Sequence, residues 1–364
     1  MTAILLSGVV LALAAANGAN DQLKGVATLL GSGATGFRVA RIWATASTLA
    51  GALLATFLGA RLAAQFSGNG LVPSDVLAQP GFLVAIGIAA ALTVAIAART
   101  GMPVSTTHAL LGALVGAGLL AARESLVVGV LVKRFVLPLV LSPLLAAAIS
   151  ALGARGSLAL ARARGRGPHD CICFEPPRLL VANTQVAASV LLAPAITTCR
   201  AHGSERAGRL TLSRVVAAAH FMMAGLVGFA RGLNDTPKIA ALWIGAGVGS
   251  PGAFVLVALF MAVGGWWGAR PVGRTMSVEI TPVGSVDGLI ATTVTAGLVL
   301  AASTFALPVS MTHVAVGALA GVGAASGGAR WGTLRRIALA WFTTLPLAAA
   351  LAALSLLLLR RFPL

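Results

Sequence analysis

Apolar runs of about 20 residues recur along the whole chain, and each is long enough to cross a bilayer as a helix. Five runs precede residue 155 and five follow residue 211. They are 2–19, 39–60, 80–98, 104–121 and 135–154, then 212–230, 252–270, 285–302, 309–326 and 337–358. The pattern predicts an all-α polytopic membrane protein.

Two further apolar stretches are too short for a full span. Residues 22–34 and 236–248 follow the first run of each set, and we expect re-entrant segments or extra half-helices there. The total is then about 10–12 helices. Pro237 lies inside the second stretch, and proline removes a helical hydrogen bond, so we predict a broken helix at this point.

Polar motifs recur in the same order along the chain. Residues 20–24 read Asn-Asp-Gln-Leu-Lys and residues 234–238 read Asn-Asp-Thr-Pro-Lys. Residues 104–108 read Val-Ser-Thr-Thr-His and residues 309–313 read Val-Ser-Met-Thr-His. The order indicates two repeats of about five spans each, and an odd number of spans turns the second copy over, so we predict inverted repeats.

Charge divides the chain into three parts. Only 10% of the residues are charged, 58% are hydrophobic, and the net charge is +17. Arginines are concentrated in residues 155–211, which the positive-inside rule predicts to be a basic cytoplasmic loop with both chain termini outside. Residues 1–154 and 212–364 are then the two inverted repeats of a multi-pass protein of the cell inner membrane or plasma membrane. The charge indicates orientation in a lipid bilayer, not binding of nucleic acid.

Charged side chains inside apolar spans cost at least about 2.5–3.5 kcal/mol each, so they are functional candidates. In both Asn-Asp motifs a lysine follows three residues after the aspartate, close enough to pair on one helical turn. The alternative is that each pair only neutralises itself. Arg231, just before the second motif, could add affinity for an anion or anchor a helix end. The candidate cation and coupling residues are Asn20, Asp21, Lys24, Asn234, Asp235 and Lys238.

The two motifs that contain histidine each follow a proline and open an apolar helix. Hydroxyl groups cap such a helix, and its free amides and dipole attract anions. Two inverted copies would direct two helix N-termini at one point near the middle of the membrane. Ordinary capping is the alternative, and His108 and His313 are more often packed side chains than ligands. The candidate substrate-binding residues are Ser105, Thr106, Thr107, Ser310 and Thr312, with Asp21 and Asp235.

These residue types favour a secondary active transporter over an enzyme, because no P-loop and no hydrolase arrangement is evident and no cofactor is implied. Gly-Ala-Asn-Asp at 18–21, Gly-x-Asn-Asp at 232–235 and Pro-Val-Ser-Thr-Thr-His at 103–108 resemble the inorganic phosphate transporter family over nearly the whole chain. The resemblance implies a sodium- or proton-coupled phosphate symporter with inverted repeats, a cytoplasmic central loop and outside termini. It also implies that the Asn-Asp pairs serve cation and substrate, and that the hydroxyl groups hold phosphate.

One feature departs from the family pattern. Lys24 and Lys238 stand where the family has a second asparagine, and an ammonium there competes with a bound sodium ion for the carboxylate. We therefore predict a proton as the coupling cation. The alternatives are a sulfate or other oxyanion permease of the same fold, or a membrane lipid-phosphate phosphatase. A homodimer is compatible with the sequence.

All three cysteines lie in the central loop. Cys171, Cys173, Cys199 and His202 supply enough nitrogen and sulfur ligands for a tetrahedral zinc ion, although their spacing is not that of a standard zinc finger. The alternative is that the cysteines are incidental.

Overall fold

The computed structural model describes residues 2–68, 70–79, 81–122, 127–164, 171–173 and 209–361. The helices before the central loop are α1 (Thr2–Asp21), α2 (Ala27–Gly31), α3 (Phe37–Leu58), α4 (Ala60–Phe66), α5 (Ser74–Leu77), α6 (Phe82–Arg99), α7 (Thr106–Ala121), α8 (Val128–Leu131) and α9 (Leu137–Arg164). Those after it are α10 (Leu212–Gly245), α11 (Pro251–Gly268), α12 (Arg270–Arg274), α13 (Ser285–Thr304), α14 (Met311–Ser326) and α15 (Trp331–Arg361).

Four shorter elements complete the described chain. The π-helical turn Val132–Val136 joins α8 to α9, and the π-helical turn Thr275–Glu279 follows α12. Strands β1 (Cys171–Cys173) and β2 (Arg209–Thr211) form an antiparallel ladder in which Ile172 is paired with Leu210. The ladder therefore brings the two described ends of the central segment together.

The predicted all-α membrane protein is confirmed. Within the described ranges, eight helical segments are long and apolar enough to cross a membrane, and each of the ten predicted runs corresponds to one helix. The exceptions in length are α7 and α14, which have 16 residues each and measure about 24 Å. Both begin at the motifs that contain histidine, so they start inside the protein.

Burial follows the polarity expected of a protein surrounded by lipid. Large apolar side chains point outward, among them Phe57, which is 81% exposed, and Phe342, which is 78% exposed. The charged side chains of the Asn-Asp motifs are buried instead. Apolar residues can face lipid at no cost, whereas charged groups require polar partners inside the bundle.

Helix contacts come in matched pairs between the two parts of the chain. α1 packs against α11 as α10 packs against α3, and α7 packs against α15 as α14 packs against α9. The pair α1 and α6 is likewise matched by α10 and α13. Each short helix therefore lies against the last long helix of the opposite half, which interleaves the halves around a common centre.

The predicted break at Pro237 is wrong. α10 continues without interruption from Leu212 to Gly245, so residues 236–248 do not form a separate half-helix. The proline ring lies against Gly59, where an added Cβ would be 2.6 Å from the ring, and transmembrane helices tolerate proline when neighbours pack against it.

In the first Asn-Asp motif, by contrast, the helix ends within the motif. α1 ends at Asp21, and the amide of Lys24 donates to the Asp21 carbonyl over 3.1 Å in a turn that leads to α2. Gly25 follows, and glycine disfavours helix by about 1 kcal/mol relative to alanine. The half-helix expected in residues 22–34 is therefore the five-residue α2.

The first ten residues of the predicted loop are helical. α9 runs to Arg164 and so includes residues 155–164. This stretch is built largely from alanine, leucine and arginine, which are all strong helix formers, so the helix continues past the apolar span.

Small residues allow the short helices to approach their partners closely. A Cβ added at Gly321 of α14 would lie 2.1 Å from the Ala147 carbonyl oxygen of α9. A Cβ at Gly116 of α7 would lie 2.1 Å from the Ala349 carbonyl oxygen of α15. Backbones in such contact leave no room for a methyl group, as is common in membrane helix interfaces.

We expect Gly321→Ala to lower the free energy of unfolding by about 1–3 kcal/mol, because α14 must move away from α9. Gly297→Ala is the matched control, since nothing lies within 4 Å of a Cβ at that position. Thermal unfolding of the detergent-solubilised variants measures both. Equal melting temperatures for the two variants would contradict the close packing of α14 on α9.

Candidate functional site

The two Asn-Asp-x-x-Lys motifs each form an internal ion pair. Lys24 Nζ lies 2.5 Å from Asp21 Oδ1, and Lys238 Nζ lies 3.4 Å from Asp235 Oδ1. The first pair is formed across the turn that follows α1, and the second is formed within one turn of α10. All four side chains are buried. The predicted pairing is therefore present in both copies.

Each lysine also reaches the start of a short helix. Lys24 Nζ donates to Thr312 Oγ1 over 2.6 Å and to the Val104 carbonyl over 3.0 Å. Lys238 Nζ donates to Thr107 Oγ1 over 3.1 Å and to the Val309 carbonyl over 2.7 Å. The four sequence motifs thus meet at one place, and each lysine contacts residues of both repeats.

Asn17 links the two aspartates. Its Nδ2 donates to Asp21 Oδ2 over 3.1 Å, to Thr106 Oγ1 over 2.9 Å and to Asp235 Oδ2 over 3.4 Å. One amide group therefore joins the carboxylates of both repeats to the start of α7.

Arg231 lies in the same network and not at a helix end. It is 1% exposed, and its NH1 donates to Gln22 Oε1 over 2.6 Å while its NH2 donates to Asn17 Oδ1 over 2.7 Å. Its Nε is 3.9 Å from Asp235 Oδ2. Arg231 and Asn17 occupy equivalent positions of the two motifs, so equivalent residues face each other at the centre.

The two asparagines of the motifs position their neighbours. Asn20 accepts from Lys24 Nζ over 2.6 Å and donates to the Met102 carbonyl over 3.0 Å. Asn234 donates to Asp235 Oδ1 over 3.0 Å and accepts from Ser303 Oγ over 3.4 Å. The amide oxygens of both asparagines therefore accept hydrogen bonds from neighbouring side chains.

The predicted serine caps are present. Ser105 Oγ accepts from the His108 amide over 3.1 Å, and Ser310 Oγ accepts from the His313 amide over 3.3 Å. Thr312 Oγ1 donates to the Val104 carbonyl over 2.8 Å, which joins the starts of α7 and α14. The two helix N-termini thus meet beside the charged network, as expected.

His108 and His313 are packed against each other. Their ring centroids are 4.4 Å apart with an interplanar angle of 82°. His313 Nδ1 is 3.2 Å from the Leu139 carbonyl oxygen, and its ring lies 3.8 Å from that of Trp341. The packing interpretation therefore describes both histidines.

The network holds three buried cations and two buried carboxylates. Lys24, Arg231 and Lys238 are each at most 3% exposed, and Asp21 and Asp235 are at most 4% exposed. Removing one partner from a buried ion network leaves an uncompensated charge at a cost of about 3–5 kcal/mol. With the cations in excess by one and two helix N-termini adjacent, the site can accommodate an anion.

The space around the network is small. A cavity of about 10 Å³ lies beside Lys24, which is room for about one water molecule. A tetrahedral oxyanion is larger, so the site is closed in this conformation and its helices must separate to admit one.

Several polar residues of the network were not singled out as site residues from the sequence. Gln22 and Thr48 bind Arg231, Ser303 binds Asn234, and Asn17 binds both aspartates. A signal was available for Asn17, because it is an amide within an apolar span and precedes Asp21 by one helical turn.

The zinc prediction is not tested. Cys199 and His202 lie outside the described residues, and only the backbone of Cys171 and Cys173 is described. Among the residues whose positions are described, no group of three His, Cys, Asp or Glu side chains is arranged to hold a metal ion.

The sequence matches a family model for the phosphate transporter family over residues 17–352. A relative from Mycobacterium bovis, described as a low-affinity inorganic phosphate transporter, is 28% identical over 95% of this chain and 75% of its own. The chloroplastic inorganic phosphate transporter 2-1 of Arabidopsis thaliana is 27% identical over 92% of this chain and 68% of its own.

The fold is also similar to a solved structure. A protein described as the sodium-dependent phosphate transporter superposes with a TM-score of 0.75, covering 99% of each chain at 22% sequence identity. At this identity the comparison establishes the fold and leaves the coupling ion of the present chain open.

Proposed function

Because the chain belongs to the phosphate transporter family, we propose that it carries inorganic phosphate across the membrane as a proton-coupled symporter. The family and the relatives are transporters and not enzymes. The observation that carries the proposal is the buried network, in which three cations face two carboxylates between two helix N-termini. Its charge suits an anion, and its carboxylates suit a coupling cation.

The starts of α7 and α14 bind the phosphate oxygens in this proposal. Thr107 Oγ1 and Thr312 Oγ1 accept from Lys238 and Lys24, and Thr106 Oγ1 accepts from Asn17, so each hydroxyl can turn to an anion when the helices separate. Ser105 and Ser310 stabilise the N-termini of α7 and α14 as N-caps. Asp21 and Asp235 accept a hydrogen bond from protonated phosphate.

The coupling cation is a proton because ammonium groups occupy the aspartates. Lys24 and Lys238 each pair with one carboxylate, and Arg231 approaches Asp235 as well. A sodium ion would need carboxylate and amide oxygens that here accept from these cations and from Asn17. A proton needs only one oxygen of one carboxylate.

The two repeats are related by inversion in this proposal. The matched helix contacts support it, and so do the contacts between equivalent residues, which join Asn17 to Arg231 and His108 to His313. Residues 1–154 and 212–364 are the repeats. The protein lies in the inner or plasma membrane of the cell, and the basic segment 155–211 between the repeats lies in the cytoplasm.

Purified protein in vesicles is expected to take up radiolabelled phosphate, with little competition from an equal concentration of sulfate. Sulfate has no proton to donate to Asp21 or Asp235 at neutral pH. An unpaired polar group in a rigid site can discriminate between ligands by up to about 10⁴-fold.

Two outcomes would contradict this assignment. Equal competition by sulfate would indicate a general oxyanion permease. Release of phosphate from a lipid phosphate substrate, without uptake, would indicate a phosphatase. Protein-free vesicles and vesicles with excess unlabelled phosphate are the controls for both measurements.

A further inference from the structure

Two small cavities lie near the two lysines of the charged network, one beside each lysine. Each has a volume of about 10 Å³, comparable to one water molecule. One is lined by Lys24, and the other by Phe66, whose ring centroid is 5.7 Å from Lys238 Nζ. Thr28 lines the cavity beside Lys24, and Leu242 lines the cavity near Lys238. The two residues occupy equivalent positions, because each follows the lysine of its motif by four residues.

The side chains that line the two cavities differ in kind. The cavity near Lys238 is lined by phenylalanine, leucine and isoleucine side chains, and apolar cavities of this size stay dry. The cavity beside Lys24 is lined by the hydroxyl-bearing residues Thr28, Thr292 and Thr295. The threonine oxygens at the cavity beside Lys24 can accept hydrogen bonds from a water molecule, which the side chains of the other cavity cannot do.

A buried histidine extends this polar side away from the site. His220 of α10 is 0% exposed, and its Nε2 lies 2.8 Å from Thr28 Oγ1. Its Nδ1 has no hydrogen-bond partner in the described part of the chain. The equivalent position in the first repeat is Leu6, so the polar line exists on one side only.

His220 lies within α10 and packs against the start of α13. A Cβ added at Gly288 would lie 2.3 Å from the imidazole ring, so the ring rests on the first turn of α13. Asp287, which directly precedes Gly288, is half-buried. The elements that pack here carry several titratable or charged groups. They are Lys24 before α2, Asp287 in α13, Arg38 and Arg41 in α3, and Arg214, Arg231, Asp235 and Lys238 in α10 itself.

We propose that the line from His220 through Thr28 and the polar cavity is the route by which the coupling proton reaches the Asp21–Lys24 pair. An imidazole accepts a proton on one ring nitrogen and releases one from the other. The Thr28 hydroxyl accepts that proton and passes its own to a water molecule in the cavity, which delivers one proton to the pair. No charge is left behind on Thr28 or His220 after the transfer.

This route rests on the proposed proton-coupled transport, and two substitutions test it. His220→Gln keeps a side chain that can bond to Thr28 but cannot relay a proton, and Thr28→Val removes the hydroxyl at nearly constant volume. Thr93→Val is the matched control, because Thr93 is a buried threonine of α6 whose hydroxyl donates to the Ala89 carbonyl of its own helix over 2.7 Å.

Uptake driven by a pH gradient and exchange of internal for external phosphate without a gradient are measured in the same vesicles. Exchange can proceed with the proton still bound, so it does not need the route. We expect both test variants to lose at least about tenfold in gradient-driven uptake, as proton-relay residues typically do. Exchange should be unchanged, and the control should match the unmodified protein in both assays.

Unchanged gradient-driven uptake in His220→Gln and Thr28→Val would overturn the route, and so would a parallel loss of uptake and exchange. Absence of phosphate exchange in the unmodified protein would instead reject the proposed function itself. The two failures are therefore distinguishable.

Discussion

Phosphate uptake into vesicles is expected to be unchanged when Na⁺ is replaced by choline at constant pH. Lys24 Nζ lies 2.5 Å from Asp21 Oδ1 and Lys238 Nζ lies 3.4 Å from Asp235 Oδ1, so a fixed ammonium occupies each carboxylate. At about 4 Å and an effective dielectric constant near 20, such a charge repels a second cation by about 4 kcal/mol. That energy corresponds to a loss of about 10³-fold in sodium affinity.

The double variant Lys24→Asn, Lys238→Asn removes both ammonium groups and places an amide at each position, and it is expected to make uptake depend on sodium. The chain has three lysines, and the third provides the control. Lys133 is exposed in the π-helical turn before α9, so Lys133→Asn should leave the cation response unchanged. If removal of Na⁺ abolishes uptake by the unmodified protein, the role assigned to the two buried lysines is wrong.

Asp235→Asn is expected to have the largest effect of any single substitution in the network. It leaves Arg231 and Lys238 buried without their carboxylate, which should lower the free energy of unfolding by about 3–5 kcal/mol. Uptake should fall at least about 100-fold, because the coupling group and a substrate contact are both lost. Uptake and thermal unfolding measure the two effects, and Asp75→Asn on the exposed surface of α5 is the control.

A paired substitution in the other motif separates transport from simple neutralisation. Asp21→Asn alone leaves Lys24 buried without its carboxylate and should lower the free energy of unfolding. Asp21→Asn combined with Lys24→Met removes both charges and should restore much of that free energy. Uptake should stay low in the double variant. Recovery of uptake together with stability would mean that this pair exists only to neutralise itself.

Much of the site could be anticipated from local sequence because its parts are local. A pair three residues apart, a serine before a helix and a charge inside an apolar run depend only on helical geometry and on the cost of burying charge. Those features identified Asp21, Lys24 and Ser105 and their copies. The partners across the repeats could not be read in this way.

Local pattern misjudged the backbone in one copy of the motif. Pro237 predicts a break, yet α10 is continuous because Gly59 provides space for the ring. The first copy lacks a proline and nevertheless leaves the helix after Asp21. At Pro237 the outcome depends on packing against Gly59, 178 residues earlier in the chain, and that contact is not visible in the local sequence.

The sequence by itself determined the membrane-spanning helices, the recurrence of the polar motifs and the residues able to carry charge inside the spans, since apolar length and residue type encode these directly. Only the tertiary structure decided that Lys24 binds Thr312, 288 residues away, that Lys238 binds Thr107, and that Arg231 lies on Asn17. It also decided that threonine side chains line the cavity beside Lys24 and that one of them, Thr28, binds His220. Helical periodicity specifies which face of a helix is polar, but the choice of facing helix depends on close packing of small residues over the whole bundle.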